Sequence, residues 1–365
     1  EDIENLDKSE GGENLNLIFR VLKRGEKLKS ALEQGQMEEL SDIGLRYDLT
    51  LPLSRYYANN KEKLMSPMKC IQIDKVYRAE RPQRGRDREF VQCDIDILGS
   101  NSIDSEIELI YTTAKALRAV SIDKFRIRLN DRRILKALLL ALGVVENQAD
   151  SVCISIDKLD KIGIVGLQKE LAEKNINQGS IDRIIDIVST KVNLSRIEEI
   201  TGEKQITDGL QRIISIIGEL SKGTVDIFFD ITLVRGQGYY TGTIFEIESN
   251  EFRGSIGGGG RYDNLIGKFI GEQVPAVGFS IGFERIFTIL QESGFKIPSS
   301  NPSLAIIYKK ENLLEAYREA ENYRKKYDVS LYEMPKKLGK FIDRLAQNGF
   351  DEVLIYGEGQ EIKKL

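Results

Sequence analysis

Two runs, 69–80 (KCIQIDKVYRAE) and 88–100 (REFVQCDIDILGS), alternate apolar and polar residues and flank an arginine-rich loop containing Pro82 and Gly85. The period of two belongs to β-strands, so the pair predicts an antiparallel hairpin with a long tip. In the second run, alternation sends Val91, Cys93, Ile95 and Ile97 to one face and Phe90, Gln92, Asp94 and Asp96 to the other. The first face reads as core. The second lines up two carboxylates and an amide, which are costly to bury unless a cation, a donor or solvent meets them. Taken alone, that strand predicts a solvated outer face. Val76, Arg78 and Glu80 point the same way in the first run. The loop sets Arg78, Arg81, Arg84, Arg86 and Arg88 against Glu80, Asp87 and Glu89, a local positive excess in a chain of net charge −4. Guanidinium forks match phosphate oxygens bidentately, so the tip is a candidate polyphosphate clamp, although a bare charge run is more often a solvated tip.

Around this hairpin, residues 17–22 are strand-like and 23–41 are charged, helical or disordered. The segment GLRYDLTLPLSRYYANN (44–60) reads as a strand end passing into a helix near Pro52, with Asp48 and Thr50 two apart on one strand face. Helical periodicity covers 105–120, and 124–131 alternates as a strand. From 132 to 222 apolar residues recur at spacings of three and four, which predicts an all-helical segment. Strand character returns at 225–236 (VDIFFDITLVRG) and 241–249, followed by a glycine corner at 254–263 (GSIGGGGRYD) and a strand entering a helix at 276–293. The glycine run, 257–260, suits a tight turn or a close backbone approach to a ligand. After a linker at 296–303 the tail reads β-α-β-α-β and ends on its third strand, a small α/β unit.

The chain of 365 residues has no histidine, which excludes Ser-His-Asp and Cys-His nucleophiles, HExxH zinc chemistry and imidazole acid–base catalysis. Carboxylates, arginines, tyrosines and bound metal remain. Cys70, Cys93 and Cys153 lack CxxC spacing, against both a disulfide framework and a structural zinc. No GxxxxGK[ST] is present, and the GQG of LVRGQGYY (233–240) leads toward a strand, so a nucleotide would have to be held by arginines on a sheet. No apolar stretch approaches the roughly 20 residues of a membrane span, and the polar N-terminus does not read as a signal peptide, so the expectation is a cytoplasmic protein without a membrane partner.

Five motifs carry a family resemblance. YRAERPQRGRDREFVQCDIDILG (77–99) resembles motif 2 of class II aminoacyl-tRNA synthetases, and AVGFSIGFERI (276–286) resembles their motif 3. LVRGQGYYTGTIFE (233–246) and GGGGRYDNLIG (257–267) resemble two peptides peculiar to histidyl-tRNA synthetases. GLRYDLTLPLSRYYANN resembles that family's substrate-binding strand in its eukaryotic and archaeal style.

The resemblance covers most of residues 10–295, with the motifs in the family's order. It implies an α+β fold: a class II antiparallel β-sheet catalytic core flanked by helices (1–131 and 223–297), a helical insertion (132–222) and a short α/β domain like an anticodon-binding domain (302–365). It implies activation of L-histidine by ATP with Mg²⁺, transfer to tRNA(His), a homodimer, and no metal held by the protein alone.

Carried over by residue, Arg78 meets the α-phosphate and the histidine carboxylate, Glu80 the adenine, Arg86 the outer phosphates, and Arg285 stacks on the adenine. Asp48, Thr50, Gln92, Asp96, Tyr239 and Tyr240 hold the histidine, with Asp96 and Tyr240 at the imidazole edges. Arg235, with Arg78, is the cationic catalyst. The chain departs from the family in having Gln237-Gly238 where Leu-Asp is usual, in showing no motif 1, and in its short tail. Residues 303–365 carry 12 Lys and Arg against 11 Asp and Glu, a weak basis for RNA contact. Two alternatives stay open: the histidine-binding regulatory subunit of ATP phosphoribosyltransferase, a non-catalytic relative, and a repurposed synthetase-like enzyme.

Overall fold

The computed structural model describes residues 1–9, 16–190, 192–235, 238–295, 301–357 and 361–365. Its first unit, 1–293, opens with α1 (Ile3–Leu6), β1 (Arg20–Leu22), α2 (Glu26–Glu33), β2 (Ser41–Gly44) and α3 (Thr50–Asn60). The expected hairpin follows as β3 (Met68–Tyr77) and β4 (Glu89–Leu98), then α4 (Asp104–Ala119) and β5 (Phe125–Asp131). The helical segment comprises α5 (Arg132–Ala141), α6 (Glu146–Asp157), α7 (Leu159–Glu173), α8 (Gln178–Ser189), α9 (Leu194–Thr201) and α10 (Lys204–Leu220). Asparagines start two of these: Asn177 and Asn193 accept the amides of Gly179 and Arg196, satisfying otherwise unpaired donors. The sheet resumes with β6 (Asp226–Phe229), β7 (Thr243–Ser249), β8 (Phe252–Arg261), α11 (Gly267–Ile270), β9 (Ala276–Gly282) and α12 (Phe283–Glu292).

Seven strands form one sheet in the order β3-β4-β9-β8-β7-β5-β6. All neighbours are antiparallel except β5 and β6. A parallel pair needs a long crossover, and the helices α5 to α10 supply it. One sheet face buries Ile127, Leu129, Phe245, Ile247, Val277 and Phe279 against helices, including Ile110 and Leu117 of α4 and Ile213 and Ile217 of α10. The opposite face carries the polar alternates of the same strands. Among the described residues no single helix is long and apolar enough to cross a membrane; α5 and α6 would pass that test only as a pair, and they are bent by 116°.

The second unit, 294–365, contains β10 (Ser303–Tyr308), α13 (Leu313–Tyr323), β11 (Asp328–Glu333), α14 (Leu338–Gln347), β12 (Glu352–Ile355) and β13 (Ile362–Lys364). Its sheet runs β11-β10-β12-β13, with β13 antiparallel to β12. Period-two alternation buries Leu304, Ile306 and Leu354 with Ala320 of α13, and Ala305, Ile307 and Val353 with Leu345 of α14.

Several expectations need correction. Asp48 and Thr50 do not share a strand face: Asp48 lies in a loop and Thr50 opens α3, because the Asp48 carboxylate accepts the Leu51 amide at 3.1 Å and starts the helix there. The strand expected over 225–236 ends at Phe229, and Gly236 lies outside the described residues. The glycine corner is strand β8, paired on both sides. The tail has a fourth strand, β13, beyond the third. The polar face of β4 is not solvated: Gln92, Asp94 and Asp96 are buried, because α3 and the loop bearing Tyr239 and Tyr240 cover it. Part of the linker, 296–300, and Gln237 of the Gln237-Gly238 departure lie outside the described residues.

Candidate functional site

Strand register builds the site. Cross-strand partners place Gln72 (β3), Asp94 (β4), Ser280 (β9), Gly258 (β8), Glu246 (β7) and Arg128 (β5) in one transverse row. The next row on the same face is Cys70, Asp96, Gly278, Gly260 and Ile244. Glycine at the middle of each row leaves a trough. A Cβ on Gly258 would overlap the Arg235 guanidinium, one on Gly260 would lie 2.9 Å from the Tyr240 ring, and one on Gly278 would overlap the Asp96 carboxylate. These glycines are therefore required by close approach of side chains to the sheet. The trough is a cavity of about 1260 Å³ whose lining includes Thr50, Arg78, Glu80, Arg86, Gln92, Asp96, Arg235, Tyr239, Tyr240 and Arg285. Asp48 is buried behind that lining, close enough to Arg78, Asp96 and Tyr239 to influence or feel their charge.

At one end the cavity is acidic and phenolic. Asp96 accepts the Tyr262 hydroxyl on Oδ1 at 2.6 Å, and its buried Oδ2 has no partner among the described residues. Burial, opposed by that hydrogen bond and reinforced by the charge of Asp48, pushes the Asp96 carboxyl up to about 7. Asp94 is also raised well above the usual carboxylate range, by burial and then by Asp96. Tyr239 and Tyr240 meet edge to face with ring centroids 4.9 Å apart, and Tyr239 meets Tyr262 in the same way at 6.0 Å. Burial raises all three phenols, so each stays protonated and can donate. The end thus offers one orphaned carboxylate oxygen facing hydroxyl donors, a match for a small ring with a donor on one edge and an acceptor on the other.

At the other end arginines converge. Arg78 stacks over Tyr47 at 4.3 Å and Phe90 at 5.0 Å, donates Nε to the Tyr47 carbonyl oxygen at 3.2 Å and reaches Gln92 Oε1 at 3.3 Å. Gln92 in turn donates to Ser280 Oγ at 2.7 Å. Arg86 pairs with Glu80 at 3.0 Å across the hairpin tip. Arg285 donates Nε to the Gly85 carbonyl oxygen at 3.3 Å and Nη1 to that of Ser255, which holds the tip against α12. Burial lowers the Arg285 pKa, and the charges of Arg86, Arg235 and Arg78 lower it further. Arg285 thus feels three other guanidinium groups, an arrangement suited to a polyanion. Arg235 sits at φ +61°, an uncommon conformation for a side-chain-bearing residue, and donates Nη1 to Glu246 Oε2 at 3.0 Å. Burial opposes its charge most strongly, but Tyr240, Glu246 and Tyr239 together outweigh burial and its pKa is raised.

Sequence reasoning missed Tyr262, Ser280 and Glu246 as members of the site. Strand alternation around Asp96 could not reveal them, because the partners come from strands brought alongside only by the sheet. Glu246, two positions past Ile244 in an alternating run, was the one with a local signal.

Comparison with known proteins adds an independent line. A family model described as Histidyl-tRNA synthetase matches residues 23–286. The Histidine--tRNA ligase of Leifsonia xyli subsp. xyli is 41% identical over 96% of this chain and 84% of its own. Among solved structures, histidyl-tRNA synthetase from Nostoc sp. PCC 7120 aligns with a TM-score of 0.76 at 26% identity, covering 99% of this chain and 86% of that one. An ATP phosphoribosyltransferase regulatory subunit/histidyl-tRNA synthetase from Bacillus halodurans C aligns with a TM-score of 0.75 at 20% identity, over 97% and 87% of the two chains, a likeness of fold alone.

Proposed function

This chain belongs to the histidyl-tRNA synthetase family, and we infer that it is an ATP-using histidine–tRNA ligase whose trough divides into an imidazole pocket and a phosphate clamp. The observation that carries this reading is the orphaned Asp96 Oδ2, set among buried tyrosine hydroxyls and opening onto the same cavity as four arginines. An imidazole N–H donates to Asp96, and a tyrosine hydroxyl donates to the ring's other nitrogen. Thr50 and Gln92 hold the amino-acid end with the Asp48 charge behind them, Tyr240 meets the second edge of the ring, and Tyr239 packs beside it.

In the first step a carboxylate oxygen of histidine attacks the α-phosphorus of ATP, the new O–P bond forms, and the bond to pyrophosphate breaks. Negative charge grows on the phosphoryl oxygens in the transition state. Arg78 and Arg235 are preorganised to meet it, Arg86 to hold the outer phosphates, and Arg285 and Glu80 to hold the adenine. In the second step a ribose hydroxyl at the 3′ end of tRNA(His) attacks the acyl carbon, the ester bond forms, the bond from the acyl carbon to the phosphate oxygen breaks, and AMP leaves with the hydroxyl proton taken up by its phosphate. Neither step needs a histidine base from the enzyme.

Mg²⁺ fits as an ion carried largely by the nucleotide. Among the described residues no three His, Cys, Asp or Glu are grouped to hold a metal, whereas Glu284 offers a buried Oε2 without a partner beside the arginines. When bound, the ion neutralises phosphate charge. Residues 302–365 serve as the anticodon-side domain and 132–222 as a helical insertion, in a cytoplasmic homodimer. A histidine-binding regulatory subunit would need no phosphate clamp, so the convergent arginines favour the ligase.

The test is histidine-dependent ATP–pyrophosphate exchange across all amino acids, followed by charging of tRNA(His). Exchange with another amino acid, or exchange without charging, would sink the assignment. Arg235→Ala is expected to cost roughly 3 to 4 kcal/mol in activation, by analogy with a lost oxyanion donor. A near-parental exchange rate would refute its catalytic role.

A further inference from the structure

We propose that Arg128 is a positioning residue that sets the Arg235 guanidinium in the phosphate clamp, acting through Glu246 and through the base of the loop that carries Arg235. The proposal rests on the ligase reading of the site.

Arg128 is only 7% exposed, yet it lies in the same transverse row as Glu246 and Gly258. Its guanidinium is divided between two jobs. On the strand side, Nη1 lies 2.9 Å from Glu248 Oε1 and 3.6 Å from Glu246 Oε1. The other oxygen of Glu246 accepts Arg235 Nη1 at 3.0 Å, so one carboxylate is held between two arginines. On the loop side, Nε donates to Asp230 Oδ2 at 2.8 Å and Nη2 to Thr232 Oγ1 at 2.9 Å. Asp230 Oδ1 closes a turn by accepting the Thr232 amide at 2.9 Å and its hydroxyl at 2.7 Å. That turn begins the segment that ends at Arg235 with φ +61°.

An arginine in the left-handed region persists only where its surroundings over-determine it. Arg128 fixes the segment where it leaves the sheet and fixes the carboxylate to which its end is tied. The planar fork is what lets one side chain do both; a lysine would keep the charge and lose the second direction.

A purely structural role, neutralising Asp230 and Glu248, predicts a loss of stability without a specific loss in the chemical step. The two accounts separate in Arg128→Lys. Misplacement of a catalytic group by about an ångström costs on the order of 100-fold. Arg128→Lys is therefore expected to lower the single-turnover rate of histidine-dependent adenylation about 10- to 100-fold, while the KM for histidine changes less than about threefold. In the Arg235→Ala background the same substitution should add almost nothing, since there is no guanidinium left to position. Thr232→Val, which removes the Nη2 contact and the hydroxyl bond to Asp230 but leaves Arg128 Nε on Asp230, should give a smaller loss with the same non-additivity and keeps the test available if Arg128→Lys does not fold. Additive losses in the double variant, or an unchanged adenylation rate in both single variants, would overturn the proposal while leaving the ligase reading intact. Absence of histidine-dependent exchange in the unsubstituted chain would instead overturn the reading on which it rests.

Discussion

A methyl group on Gly258 would overlap the Arg235 guanidinium and lie 3.0 Å from the Phe245 carbonyl oxygen. The strand cannot yield, because β7 and β9 pair with it on either side. Gly258→Ala is therefore expected to displace Arg235 and lower adenylation by about 100-fold, while histidine affinity, set in the next row, changes little. Equal losses in binding and rate would show that the methyl disturbs the whole trough. Asp96 makes a different prediction, in pH. Its folded carboxyl titrates at about 7, chiefly through burial, so the native state holds a proton that the unfolded chain has released above its ordinary value near 3.8. The neutral form's contribution is complete below that ordinary value and is lost as pH rises toward 7. In the absence of histidine, urea unfolding of Asp96→Asn relative to the parent should improve from pH 4 to 7, by up to roughly 1.4 kcal/mol per unit. Parallel stability curves for the two proteins would contradict the buried, protonated carboxyl.

Between elements, one buried pair joins α4 to the end of β8: Glu106 accepts both Arg261 Nε and Nη2 at 2.7 Å, and Arg261 Nη1 also donates to the Ser100 carbonyl oxygen at 3.0 Å. Glu106→Ala would remove the bidentate partner of that buried guanidinium and leave it a single carboxylate contact, that of Nη1 with Asp263 at 3.3 Å. The expected cost is about 3 to 5 kcal/mol in urea denaturation, and a change below about 1 kcal/mol would mean that solvent reaches Arg261 in the variant. The β3–β4 hairpin, the helical segment and the alternating tail could be read from sequence because their periods are local. Strand β8 could not, since glycines give no strand signal and its conformation is imposed by β7 and β9. Alternation in β4 divided its residues correctly but could not say which face would be covered; that depended on α3 and on the loop bearing Tyr239 and Tyr240. Arginines and tyrosines in short motifs marked the site, whereas the partners that tune it are distant in the chain: Tyr262 lies 166 residues from Asp96 and Ser280 lies 188 from Gln92.

Taken whole, the first unit has a sheet open at both margins among the described residues, β3 and β6, and the β3 margin exposes large apolar side chains. Among the described residues β3 pairs only with β4, and on its outer face Ile71 is 72% exposed and Ile73 67%. They point to the side that carries α4, because Lys69, in alternation with them, pairs with Glu108 of that helix. Large apolar residues on an open edge strand invite association, which monomeric proteins suppress with charge or a covering segment. Here neither isoleucine is covered, and burying four of them across a two-fold axis would contribute several kcal/mol at about 25 cal/mol per Å². The proposed homodimer is thus expected to use the β3 margin. Light scattering on the parent at micromolar concentration should give twice the mass of the chain, and Ile71→Lys with Ile73→Lys should give a folded monomer with unchanged far-ultraviolet dichroism. A parent that is monomeric, or a double variant that still dimerises, would remove β3 from the interface and leave its exposed isoleucines in need of another occupant.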